Sequence, residues 1–149
     1  MVWGRFGASD LLPLRFVTSQ MNSNNYQNTL QASLMPFLEE NRQRPYTFQQ
    51  DNASIHIFKS SRNWFAAQNV DLLDWPALSP DLNPMENLWF HILQEFYGGG
   101  TQYDTVEELK RAILDCWTKI RLDLYKKLVD SMPDRTADVL QDQGNKINY

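Results

Sequence analysis

Two carboxylates, Asp51 and Glu86, have the residue type and the placement to act on one reacting group, with 34 residues between them. Asp51 follows Tyr46-Thr47-Phe48-Gln49-Gln50, where alternating aromatic and polar positions predict a strand. Glu86 falls in the first turn of a helix predicted to open at Asn83-Pro84, an N-cap followed by proline. Held ~4 Å apart, such groups repel by roughly 1 kcal/mol in water and roughly 4 kcal/mol at an effective dielectric of 20, and a divalent cation reverses that repulsion. Oxygen-only ligation favours Mg2+ or Mn2+ over zinc, and such ions activate water and steady the leaving oxygen in phosphoryl transfer. Blander readings stand beside this one. Asn83-Pro84-Met85-Glu86 also fits a capping box in which Glu86 returns a hydrogen bond to the Asn83 backbone. Asp51-Asn52 is also ordinary turn chemistry. Spacing alone leaves both open. His56, five residues beyond Asp51, is a candidate to bond a phosphate or orient a carboxylate. His91 falls mid-helix and Cys116 reads as a small buried hydrophobe, so neither is given a role.

The elements that must position these residues are legible in outline. Gly7-Ala8-Ser9-Asp10 separates two short apolar segments, 1–6 and 11–18, as a hairpin turn does. Tyr26, Leu30, Leu34, Phe37 and Leu38 recur at helical spacing, predicting a helix from Ser23 to near Arg42 that covers a sheet. A second helix carries Phe58, Trp64 and Phe65. Val70 to Trp75 then reads as a strand covered on both faces. Met85, Leu88, Trp89, Ile92, Leu93 and Phe96 form the apolar stripe of the helix after Pro84, and on a 100° wheel Glu86 borders it, facing the sheet and not solvent. Gly98-Gly99-Gly100 ends that helix. Thr105-Val106-Glu107-Glu108 is a capping box opening another, with Val106, Leu109, Ile113, Trp117 and Ile120 as its stripe. Leu124 to Met132 suggests a short helix ending before Pro133, with a last turn at Val139-Leu140.

Length and charge restrict the function classes. The 149 residues are one domain's worth of chain. A single cysteine excludes an internal disulfide and a multi-thiolate zinc site, and fits a reducing compartment. No apolar run is long enough to span a membrane. The net charge of −4 is concentrated in residues 51–100, which sum to −4, against +1 for residues 1–50 and −1 for the remainder. An acidic chain does not grip nucleic acid nonspecifically through its total charge, although a local cation site is compatible with it.

Phe48-Gln49-Gln50-Asp51-Asn52-Ala53, with His56 after it, and Asp74-Trp75-Pro76-Ala77-Leu78-Ser79-Pro80-Asp81-Leu82-Asn83-Pro84-Met85-Glu86-Asn87-Leu88-Trp89 resemble the second and third acidic motifs of mariner-type transposases, DDE superfamily endonucleases, in the branch ending in glutamate. Val2-Trp3-Gly4, Asn22 to Tyr26 and Lys146-Ile147-Asn148-Tyr149 resemble other parts of that family's catalytic domain, so the likeness runs over nearly the whole chain. The resemblance implies an α/β fold of RNase H-like type, a mixed sheet flanked by helices, and a triad of two aspartates and a glutamate holding two Mg2+ or Mn2+ ions. Asp51 is then the second member and Glu86 the third, both catalytic and metal-binding, with Asn52 and His56 in support. It further implies DNA as substrate, both transposon ends and target, cleavage and strand transfer by transesterification, and, from that substrate alone, a nuclear location, otherwise a cytoplasmic one.

The family's first aspartate has no counterpart here, because Asp10 lies in the hairpin turn. Residues 1–149 are therefore expected to be a partial catalytic domain without the first, central strand and without the DNA-reading modules. That expectation carries three others: low stability, little cleavage by the chain alone, and strand edges open to self-association or to a full-length transposase. The alternative is a noncatalytic, transposase-derived interaction module. A third reading is an α/β domain whose carboxylates only cap helices.

Overall fold

The Gly7 amide donates to the Asp10 carbonyl at 2.7 Å, closing the first turn. Phe6 and Leu11 bridge antiparallel beyond it, and β1 (Val2–Trp3) pairs with β2 (Arg15–Phe16) to complete the predicted hairpin. The computed structural model describes residues 1–77, 79–98, 100, 102–145 and 147. Leu78, Gly99, and Lys146, Asn148 and Tyr149 of the tail motif lie outside them. The chain divides into two compact units, one of residues 1–2 and 16–78, the other of residues 3–15 and 79–149.

In the first unit, the Asn22 side chain caps α1 (Ser23–Glu40) by accepting from the Asn25 amide at 2.9 Å. Tyr26, Leu30 and Leu34 are its buried stripe. This helix packs on α2 (Ser54–Ile57) and α3 (Lys59–Ala67), where a sheet-covering helix was predicted. Tyr26 of α1 and Phe65 of α3 lie with ring centroids 6.5 Å apart. The single predicted helix after Ser54 is two, because Phe58 has φ −56° and ψ 142°, an extended conformation that breaks the ladder. Strand β3 (Thr47–Phe48) pairs in parallel with β4 (Asp71–Leu72), Thr47 opposite Asp71 and Phe48 opposite Leu72. The β4 strand is not covered on both faces as predicted. Asp71 and Leu73 are exposed and Leu72 is half-buried, as suits a strand with one neighbour in a two-stranded sheet.

In the second unit, a 3₁₀ turn (Pro80–Leu82) leads into α4 (Pro84–Tyr97), followed by α5 (Val106–Thr118), α6 (Leu122–Asp130) and α7 (Met132–Gln141). The buried ridge of α4 is Pro84, Leu88, Ile92 and Phe96, a strict four-residue repeat against α5 and α6. This ridge is narrower than predicted, so Leu93 is 50% exposed. The Thr105–Glu108 capping box of α5 is formed in both directions. Trp117 on α5 is buried and donates Nε1–H to the Leu12 carbonyl at 2.9 Å. Its ring lies 2.7 Å from where a Cβ on residue 4 would stand, which only glycine permits. Pro133 does not end a helix but opens α7, since proline in a first turn forfeits an amide that has no intrahelical partner. Among the described residues the strands form two separate two-stranded sheets, β1 with β2 and β3 with β4.

Candidate metal centre

Asp51 lies three residues past the end of β3, on an extended segment entering α2. Its Oδ1 accepts the Ala53 amide at 3.0 Å and faces His56 Nδ1 at 2.5 Å. The turn reading of Asp51 is thus correct for one oxygen. Among the described residues Oδ2 has no hydrogen bond, and the side chain is 55% exposed. One carboxylate oxygen is spent on holding the group in place and the other is presented to solvent. Asn52 Nδ2 donates to the Trp75 carbonyl at 2.8 Å, tying this segment to the one that follows β4.

His56 is itself held by a layer behind it. The buried Tyr26 ring packs against it, tilted by 36° at 4.4 Å between centroids, and the Tyr26 hydroxyl donates to Gln50 Oε1 at 2.6 Å. Gln50 Nε2 in turn donates to the His56 carbonyl at 3.4 Å. Burial first, and the charge of Asp51 second, push the Tyr26 hydroxyl far above the ordinary phenol range, so it stays a protonated donor. Sequence reasoning assigned Tyr26 only to the core. Its helical spacing disguised the hydroxyl, and the signal that could have found it is Gln50 beside Asp51, a side chain needing a partner of this kind.

Glu86 belongs to the second unit, in the first turn of α4. It is exposed, contrary to the placement predicted from the helical wheel. The wheel assumed a stripe centred on Trp89 and Leu93, whereas the ridge runs through Leu88 and Ile92 and turns Glu86 outward. The capping-box reading fails as well. Asn83 Oδ1 accepts the Met85 amide at 3.3 Å, and Glu86 Oε1 accepts from Asn83 Nδ2 at 3.1 Å, so the glutamate bonds the capping side chain and not its backbone.

The turn that precedes Glu86 is fixed from α7. Arg135, 2% exposed, donates from Nη1 to the Asp81 carbonyl at 2.9 Å and to Asn87 Oδ1 at 2.8 Å, and from Nε to Ser131 Oγ at 2.9 Å. Asp81 Oδ2 accepts the Ile147 amide at 2.9 Å. Sequence reasoning passed over Arg135, because partners 54 and 48 residues away leave no local pattern.

Taken singly, Asp51 and Glu86 are each the kind of oxygen donor that a hard cation takes. Both carboxylates are exposed, and each keeps an oxygen without a hydrogen bond among the described residues. No group of three or more His, Cys, Asp or Glu side chains placed to hold an ion occurs among the described residues.

The fold and these motifs define a class. The model of the DDE superfamily endonuclease family matches residues 7–110, and the chain belongs to that family. Over 149 residues it is 46% identical to the Tc3 transposase of Caenorhabditis elegans, covering 100% of this chain and 45% of that protein. It is 36% identical to the Tc1 transposase of the same organism, covering 100% and 54%. The chain thus spans about half the length of the curated relatives it matches. Among solved structures, the Mos1 transposase catalytic domain with raltegravir and Mg shares the fold at a TM-score of 0.83 and 19% identity, covering 99% of this chain and 76% of that one. The Mos1 mariner paired end complex with Mn matches at 0.84 and 21%, covering 99% and 44%. The fold is therefore RNase H-like, as the motifs implied.

Proposed function

We propose that residues 1–149 are part of a transposase catalytic domain, the part carrying the second and third acidic motifs and the C-terminal helices, and that it serves metal-dependent cleavage and transfer of DNA strands. The observation that carries this reading is the Asp51 carboxylate, with Oδ1 fixed by the Ala53 amide and His56 and Oδ2 left open. Family membership and the Tc3 and Tc1 relatives support it, and so do the Mos1 structures that contain Mg or Mn or a transposon end. Asp51 and Glu86 are the proposed ligands. His56 and the Ala53 amide hold Asp51 in place, and Asn52 anchors its segment. A bound Mg2+ or Mn2+ supplies Lewis acidity and an activated water for attack on a phosphodiester. The proposed DNA partners are the transposon ends and target, and the location that this substrate calls for is the nucleus.

Two carboxylates make a weak site. Titration with Mn2+ or Mg2+ is expected to raise the melting temperature in a saturable way that EDTA reverses. The gain at ten times the dissociation constant is about 1.4 kcal/mol. A melting temperature indifferent to both ions up to tens of millimolar overturns the reading in favour of carboxylates with purely structural roles. The two short sheets, each with open edges, favour one further reading, in which the chain pairs with a full-length transposase or a second copy. Concentration-dependent mass in light scattering separates that case from a monomer.

A further inference from the structure

From the exposure and charge of the segment after Asp51, we propose that Phe58, Lys59 and Arg62 form a contact surface for single-stranded DNA, leading a strand toward Asp51. This rests on the reading above for the direction of the strand but not for its binding. The chain carries a net charge of −4, yet residues 52–70 contain Lys59 and Arg62 and no acidic residue. Neither cation forms an ion pair among the described residues. Phe58 is 62% exposed at the break between α2 and α3, and Ile57 beside it is 40% exposed. Arg62 stands three residues from Lys59 on α3, an offset at which helical side chains are neighbours, and Phe58 is the residue that caps the same helix. Its amide donates to the Phe58 carbonyl at 3.1 Å, which fixes that turn.

An exposed aromatic ring with two cations without ion pairs in the next four residues is the pattern that takes one base on its face and phosphates beside it. A duplex keeps its bases stacked and offers the ring nothing, so the occupant is a single strand. The surface is also rigidly tied to the candidate metal ligand. The Ala53 amide and His56, at the start and within the single turn of α2, both bond Asp51 Oδ1, and Phe58 follows that turn directly.

The test is fluorescence anisotropy of a labelled mixed-sequence single-stranded oligonucleotide, and of its duplex, with the 149-residue chain in EDTA at varied salt. K59A/R62A is expected to weaken single-strand binding about tenfold or more and to reduce the slope of log affinity against log salt by about 1.4, two phosphate contacts at ~0.7 each. Phe58→Ala is expected to weaken it about fivefold or more, with the salt slope unchanged and duplex binding little affected. K126A/K127A on α6 is expected to change neither. Equal losses from K59A/R62A and K126A/K127A, or single-strand binding indifferent to Phe58 and both cations, overturn the proposal. All three variants change exposed side chains, so matching melting curves show that folding is not the cause. Because EDTA removes the metal, failure here is separable from failure of the metal titration.

Discussion

Asp51→Asn is expected to weaken Mn2+ binding roughly 30-fold while leaving the metal-free melting temperature nearly unchanged. A doubly charged ion ~4 Å from one negative charge gains roughly 2 kcal/mol even at the dielectric of water, and that is about 30-fold in a dissociation constant. Asparagine keeps a carbonyl oxygen where Oδ1 accepts the Ala53 amide at 3.0 Å, so the turn into α2 persists. Asparagine also has almost the volume of aspartate, and the position is exposed, so packing does not change. Isothermal titration of both proteins measures the first quantity and thermal denaturation in EDTA the second. A variant that binds as tightly as the parent removes Asp51 from the metal site. A variant that fails to fold shows instead that the residue is a structural cap.

Arg135→Ala is expected to cost about 3–5 kcal/mol of unfolding free energy, the largest stability effect of any substitution considered. At least three hydrogen bonds from a charged donor are lost at roughly 1.5–3 kcal/mol each. Their acceptors, the Asp81 carbonyl, Asn87 Oδ1 and Ser131 Oγ, face an emptied interior, and part of the loss is recovered wherever water enters. Domains hold only about 5–15 kcal/mol in total, so a loss of this size is a large fraction. Arg135→Lys keeps the charge and one donor nitrogen but lacks a second nitrogen to reach Ser131 Oγ while the first serves Asp81 and Asn87, and an intermediate loss is expected. Urea denaturation of the three proteins gives the order. A loss below about 1 kcal/mol for alanine contradicts the assignment of Arg135 as the clamp of the 80–82 turn.

What the sequence made legible were the features encoded locally. The Asn83-Pro84 start of α4 and the Thr105–Glu108 box of α5 are set by backbone amides that need acceptors within three residues. The stripe of Tyr26, Leu30 and Leu34 follows from helical period. The motifs around Asp51 and Glu86 carried the family. Features set by tertiary partners were not legible. Phe58 has an ordinary helical sequence context, yet it breaks the helix and leaves its ring in solvent. Glu86 turned outward because packing against α5 and α6 selected a ridge of every fourth residue from a wider apolar stripe. Arg135 is buried by groups about 50 positions away in the chain, and no window of sequence contains both. Pro133 was read as a terminator because proline breaks helices from within, whereas at the second position of α7 it costs nothing.

We propose that Asp51 and Glu86 both take part in binding a divalent ion, and paramagnetic broadening by Mn2+ reads each of them separately. Mn2+ is titrated into the 15N-labelled chain and followed at each backbone amide. The amides around residues 51–53 and those around residues 85–87 are expected to broaden together with one apparent dissociation constant, and Mg2+ is expected to restore both sets. Broadening confined to one set, or scattered over the acidic surface without saturation, contradicts the account.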